Sequence, residues 1–129
     1  MQRLGRSLAF SLTLATIASA AGAQPLSEVP QSSIEYESVD AALNDLGSRP
    51  GIERSTQNGW SIAADAAART VWSFAPPGHP AYPAVVKRQV VQNGADVEIA
   101  MAVRCEAAKP DCDDLVRTFA EMNGFQPPR

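Results

Sequence analysis

The only histidine, His79, stands in Pro76-Pro77-Gly78-His79-Pro80. An imidazole is the one side chain whose ordinary titration lies near neutrality, so general-base or metal-ligand chemistry would centre there. A histidine base also needs an orienting partner and a nucleophile or substrate within hydrogen-bond reach. The chain offers loose serines and carboxylates but no Gly-x-Ser-x-Gly, no His-x-x-x-His and no nucleophilic cysteine motif. A metal site would need more ligands than one histidine and a remote pair of cysteines supply. No catalytic residue, metal ligand or cofactor is therefore assigned. A small hydrolase or metal-dependent enzyme centred on His79 stands as an alternative reading.

Binding chemistry is better represented around the same residue. Pro76, Pro77, Pro80 and Pro83 fix φ and lack N–H donors, so the loop 76–83 is ordered in advance but cannot pair as a strand. A pre-ordered loop carrying His79 and Tyr82 binds at low entropic cost, or simply turns a corner. Lys87 and Arg88 follow at once. Adjacent strand residues point to opposite faces; the pair could receive an anionic group, or it is a guard charge on a solvated edge strand. Trp72, His79, Tyr82, Lys87 and Arg88 are the candidate binding residues of a non-enzymatic interaction module built on loop 76–83. An inhibitor or immunity-type protein that plugs an envelope enzyme with this loop is a further alternative.

The third candidate chemistry belongs to Cys105 and Cys112. Their spacing is not the Cys-x-x-Cys of redox motifs, and a structural disulfide is expected. Closing a loop of about eight residues is worth roughly 2–3 kcal/mol on the chain-entropy model.

These residues need elements to position them. Ser38 offers an N-cap, and Val39, Ala42, Leu43 and Leu46 form one apolar helical stripe, with Gly47 as a left-handed C-cap and Pro50 as a stop. Ile52 to Thr56 reads as a first strand ended by the turn Asn58-Gly59. Trp60, Ile62 and Ala64 alternate with Ser61, Ala63 and Asp65 as a half-buried strand. Residues 60–75 then form a hairpin in which Trp72 and Phe74 share a face and Trp60 reaches them across the pair. Asn93-Gly94 is a strong hairpin signal between 84–92 and 95–105. A two-residue type I′ turn there pairs Val90 with Val97, Arg88 with Ile99 and Val86 with Met101. The alternation Val97, Ile99, Met101, Val103 gives an inward face on which Arg88 is a misfit, costly unless paired or at the rim. A last helix begins near Asp111, with Asp113 and Asp114 in its first turn, the stripe Leu115, Val116, Phe119, Met122 and a cap at Gly124.

The expected architecture is α+β: a meandering antiparallel sheet of four to five strands, with a short N-terminal helix and a C-terminal helix on one face. Residues 38–125 form the single domain, 24–37 an extended arm and 126–129 a frayed tail. Ahead of them, Arg3 and Arg6, the apolar run 8–18 and Ala21-Gly22-Ala23 make a signal peptide cleaved after Ala23. The apolar run is too short to span a bilayer, and no membrane span is expected. Removing Arg3 and Arg6 leaves nine bases against fourteen acids in 106 residues, a charge of −5. Such a balance carries no footprint for nucleic acid.

The run from Trp72 to Arg88, with the later cysteine pair, resembles a group of small exported proteobacterial proteins of unknown function. The resemblance covers most of the mature chain and implies a Gram-negative envelope, the periplasm. It brings no known activity, ligand or catalytic residue, and the envelope protein expected as partner comes from the interaction-module reading of the loop. His79-Pro80 is also similar to the start of the His-Pro-Asp turn of J-domain cochaperones, but Ala81 stands where the carboxylate belongs, and that reading is set aside.

Overall fold

The computed structural model describes residues 34–124. The expected leader 1–23, the arm up to residue 33 and the tail 126–129 lie outside the described residues. Helix α1 (Val39–Ser48) is followed by strands β1 (Ile52–Gln57), β2 (Trp60–Asp65), β3 (Thr70–Phe74), β4 (Ala84–Asn93) and β5 (Asp96–Cys105), and by helix α2 (Lys109–Met122). The five strands pair in sequence order, all antiparallel. The fold is the α+β meander that the strand and turn pattern predicts.

The helices do not share a face. Val39, Ala42 and Leu46 of α1 pack with Ile52, Ala63, Trp72, Phe74 and Val85. Leu115 and Phe119 of α2 pack with Ala75, Ala81, Ala84 and Val86 on the other side, with Trp60, Met101, Val103 and Cys105 against them. The expectation of one covered face is thus corrected to a three-layer arrangement. Trp60 falls with it: Ser61 is paired with Phe74 and Ala63 with Trp72, so Trp60 points away from Trp72 and Phe74.

Local chemistry explains most of the boundaries. The Ser38 side chain accepts from the Ala41 N–H (3.0 Å), as an N-cap should. The helix then runs through Gly47, which is not left-handed, and ends at Arg49 in extended conformation. The cause is Pro50, whose ring excludes helical geometry from the residue before it. Asn58 and Gly59 both have positive φ (51° and 83°), the type I′ signature, and connect β1 to β2. At the second hairpin the loop is Gly94-Ala95, because Asn93 pairs with Asp96. Only Gly94 has positive φ there (64°), which fits a type II′ turn with glycine first. The pairing therefore moves by two residues: Val90 faces Ile99, Arg88 faces Met101 and Val86 faces Val103. A two-residue shift keeps every side chain on its expected face.

The face itself is less buried than its alternation implies. β3 pairs with β4 as far as Gln89, and Arg69 O accepts from the Val90 N–H (3.0 Å), so beyond Val90 the tip of the β4–β5 hairpin overhangs as a two-stranded ribbon. Val97 is 67 % exposed and Val90 39 %. α2 begins at Lys109, two residues earlier than Asp111, with Pro110 in its first turn, where the missing N–H costs nothing. It closes with Gly124 at φ 80°, donating to Glu121 O. Cys105 and Cys112 are bonded, with Cα atoms 5.7 Å apart, fastening the end of β5 to the first turns of α2.

Candidate functional site

The sheet separates the five candidate binding residues. Trp72 and Lys87 face α1. Trp72 is 2 % exposed and belongs to that core. The Lys87 ammonium lies 6.0 Å from the centroid of the Trp72 ring and 3.0 Å from Glu35. His79 and Arg88 meet on the opposite side, beneath α2, and Tyr82 projects from the loop, 47 % exposed. The edge-strand reading of the adjacent pair is corrected, because β4 lies between β3 and β5; Lys87 is ion-paired with Glu35, and Arg88 lines a cavity.

The loop holding His79 is braced internally. His79 N–H donates to Pro76 O (3.1 Å), Tyr82 N–H to His79 O (2.9 Å) and Ala75 N–H to Ala84 O (3.0 Å). Ala81 is fully buried, and its N–H donates to His79 Nδ1 (3.1 Å). A neutral imidazole accepting at Nδ1 carries its proton on Nε2. His79 thus presents a hydrogen-bond donor to its surroundings in that state. Its ring meets Trp60 edge-on at 5.1 Å, and Trp60 in turn meets Phe119 at 5.5 Å.

The Arg88 guanidinium completes the row, 5.4 Å from the Phe119 ring. This is the misfit residue of the apolar face; it is half-buried, which fits a place at the rim, while among the described residues the paired alternative does not hold. No carboxylate pairs with it, and its Nε is sealed from solvent without a hydrogen-bond partner. The aromatic face of Phe119 supplies the attraction that a carboxylate would otherwise give. Ser73, 2 % exposed, likewise has an Oγ with no partner. Trp72 Nε1 and Arg104 Nε are also unpartnered, but neither residue lines this cavity.

Together these side chains line a half-open cavity of ≈330 Å³ between α2 and the sheet. Trp60 and Phe119 wall it, Ser73 and Arg88 line its sheet side, and His79 and Asn58 stand at its margin. Arginine is the one charged residue in the lining; no acid contributes. A smaller neighbouring cavity of ≈250 Å³ shares Trp60, His79 and Phe119 but carries Asp111 and Asp114. The aromatic row therefore divides a cationic side from an acidic one. Among the described residues no group of histidine, cysteine and carboxylate side chains is placed to hold a metal ion, and no helix is long and apolar enough to cross a membrane.

Trp60, Ser73 and Phe119 are absent from the residues singled out by sequence. Strand alternation alone places Trp60 on the face of Trp72 and Phe74, and helical periodicity gives Phe119 only a place in an apolar stripe. The adjacent apolar residues Ala84-Val85-Val86 were the available signal, since a strand apolar at consecutive positions is covered on both faces. Compared with known proteins, the chain matches no family model, no curated sequence and no solved structure.

Proposed function

We propose that this chain is a non-enzymatic interaction module of the bacterial envelope, exported by its leader and using loop 76–83 with the adjoining rim as its contact surface. The observation that carries the reading is the pairing of rigidity with display. The loop backbone is pinned by its own hydrogen bonds and by buried Ala81, yet the Tyr82 ring stands 47 % exposed. A rigid aromatic anchor loses little entropy when it is captured, which is what a recognition surface requires. The hydrolase reading asks His79 to accept a proton, whereas the Ala81 N–H holds Nδ1 as the acceptor and leaves Nε2 as a donor. An inhibitor would use the same surface with an enzyme as its partner.

The test is affinity capture from periplasmic extract with wild type, Tyr82→Ala and Tyr82→Phe proteins of equal thermal stability. Wild type and Tyr82→Phe should retain a common partner that Tyr82→Ala loses. Identical capture by all three removes the loop from the account. If the partner is an enzyme whose turnover falls on binding, the inhibitor form of the reading is the correct one.

A further inference from the structure

We propose that the cavity beneath α2 binds a small organic carboxylate with a flat apolar body, its carboxylate on Arg88 and Ser73 and its body against the aromatic wall formed by Trp60 and Phe119. The inference rests on the reading of this end of the molecule as a binding surface, and it supplies that surface with a ligand class.

Three observations converge on it. First, the Ser73 hydroxyl and the Arg88 Nε are buried and unpartnered, and both residues line the same cavity. Unpaired buried polar groups weaken a fold, and they are expected where a ligand completes them. The strand register agrees, because Val71 is paired with Arg88 and Ser73 with Val86, making Ser73 and Arg88 diagonal neighbours on one sheet face. Secondly, the sign of the site is settled by its inventory. Arg88, the Ser73 hydroxyl and the His79 Nε2–H are donors, and the lining contains no carboxylate to compete with an incoming anion. One guanidinium matches the planar, singly charged carboxylate in bidentate fashion. A doubly charged phosphate would call for a second cation, and the lining has only one. Thirdly, Trp60 and Phe119 touch each other, with ring centroids 5.5 Å apart and planes inclined by 57°, and so form one continuous aromatic wall. Around ≈330 Å³ is small-molecule scale, and such sites are mostly apolar with a few polar groups that fix orientation.

The experiment titrates the isolated protein with 2-naphthoate and, separately, with neutral 2-naphthamide, following heat release and the Trp60 indole N–H resonance. Naphthoate should bind saturably and move that resonance, with naphthamide much weaker. Arg88→Met should weaken naphthoate roughly ten- to hundredfold while leaving naphthamide unchanged, the loss expected for a charge-assisted hydrogen bond. Ser73→Ala should weaken naphthoate by a smaller factor and raise the melting temperature, a pair of opposite effects that a purely structural hydroxyl would not give. Lys109→Met, which removes an exposed charge elsewhere, should change neither. Equal affinity for acid and amide, undiminished naphthoate binding by Arg88→Met, or no saturable binding into the millimolar range overturns the proposal. Should Arg88→Met fail to fold, the acid–amide comparison and Ser73→Ala decide alone. A tripeptide ending in phenylalanine that binds more tightly than naphthoate assigns the site to a chain terminus, and the small-acid assignment falls. Failed naphthoate binding beside Tyr82-dependent partner capture discards this inference and keeps the interaction surface.

Discussion

Arg54 and Arg88 both sit on sheet strands, and their surroundings treat them differently. Arg54 donates from Nε to Leu46 O (3.1 Å), one of the carbonyls that α1 leaves open at its end. Arg88 finds only an aromatic face. A second cluster of charges, at the start of the described chain, shows full satisfaction at close quarters. Tyr36 donates to the Asp45 carboxylate, and Arg49 donates to both. Burial and that bond to Asp45 push the Tyr36 phenol up to about 12, while the bonds from Tyr36 and Arg49 hold the Asp45 carboxyl below its ordinary value. The signs follow from linkage. The fold favours neutral Tyr36, so its contribution is complete below the ordinary tyrosine value of 10.0 and is lost as pH rises towards about 12. The Asp45 contribution is present above the ordinary carboxylate value and fades as pH falls through the lowered one. Tyrosinate absorbance of wild type minus Tyr36→Phe should therefore titrate near 12; a midpoint at the ordinary value means that the cluster does not form in solution.

At the scale of elements, the two helices are held by different means. α1 is anchored by buried Val39, Ala42 and Leu46 and by its Val39 N–H, which donates to the Glu106 carboxylate (2.7 Å). α2 buries only Leu115 and Phe119, leaves Val116 and Met122 exposed, and relies on the Cys105–Cys112 bridge. Reduction should release protection of α2 amides before that of β3 and β4, whose ladder hydrogen bonds are independent of the bridge. Hydrogen exchange with and without reductant checks this, and simultaneous loss in helix and sheet would refute it. Much of this layer was legible in sequence, because turn residues and alternation are local signals. The strands, both hairpins, the Ser38 cap and the cysteine pairing all follow from them. What local signals lack is the side of the sheet on which a helix lands. An apolar stripe such as Leu115 and Phe119 states that something is covered, not which face, so the aromatic row of Trp60, Phe119 and Arg88 could not be assembled in advance. Arg88 alone gave warning, as a charge on an apolar face.

For the whole molecule, the sheet divides into a covered body and an uncovered ribbon. The register of β3 stops at Gln89 and its last bond to β4 is from the Val90 N–H to Arg69 O; beyond Val90, β4 and β5 have only each other. Two-stranded ribbons are marginal in water, so amides of residues 91–98 should exchange well before those of 84–90 and 99–105, in oxidised and reduced protein alike. Uniform protection along both strands would mean that something covers the tip. The meander that produces this division has another consequence, in time. Every strand pairs with the one made just before it, so each hairpin can close as soon as its second strand is available, and no strand waits for a distant one. Loop closures of that length are brief, and topologies dominated by them fold fast for their size. A chain delivered from its N-terminus can add its sheet one strand at a time, and α2, the last to arrive, shuts the cavity over Arg88 and Ser73 only when everything beneath it is in place.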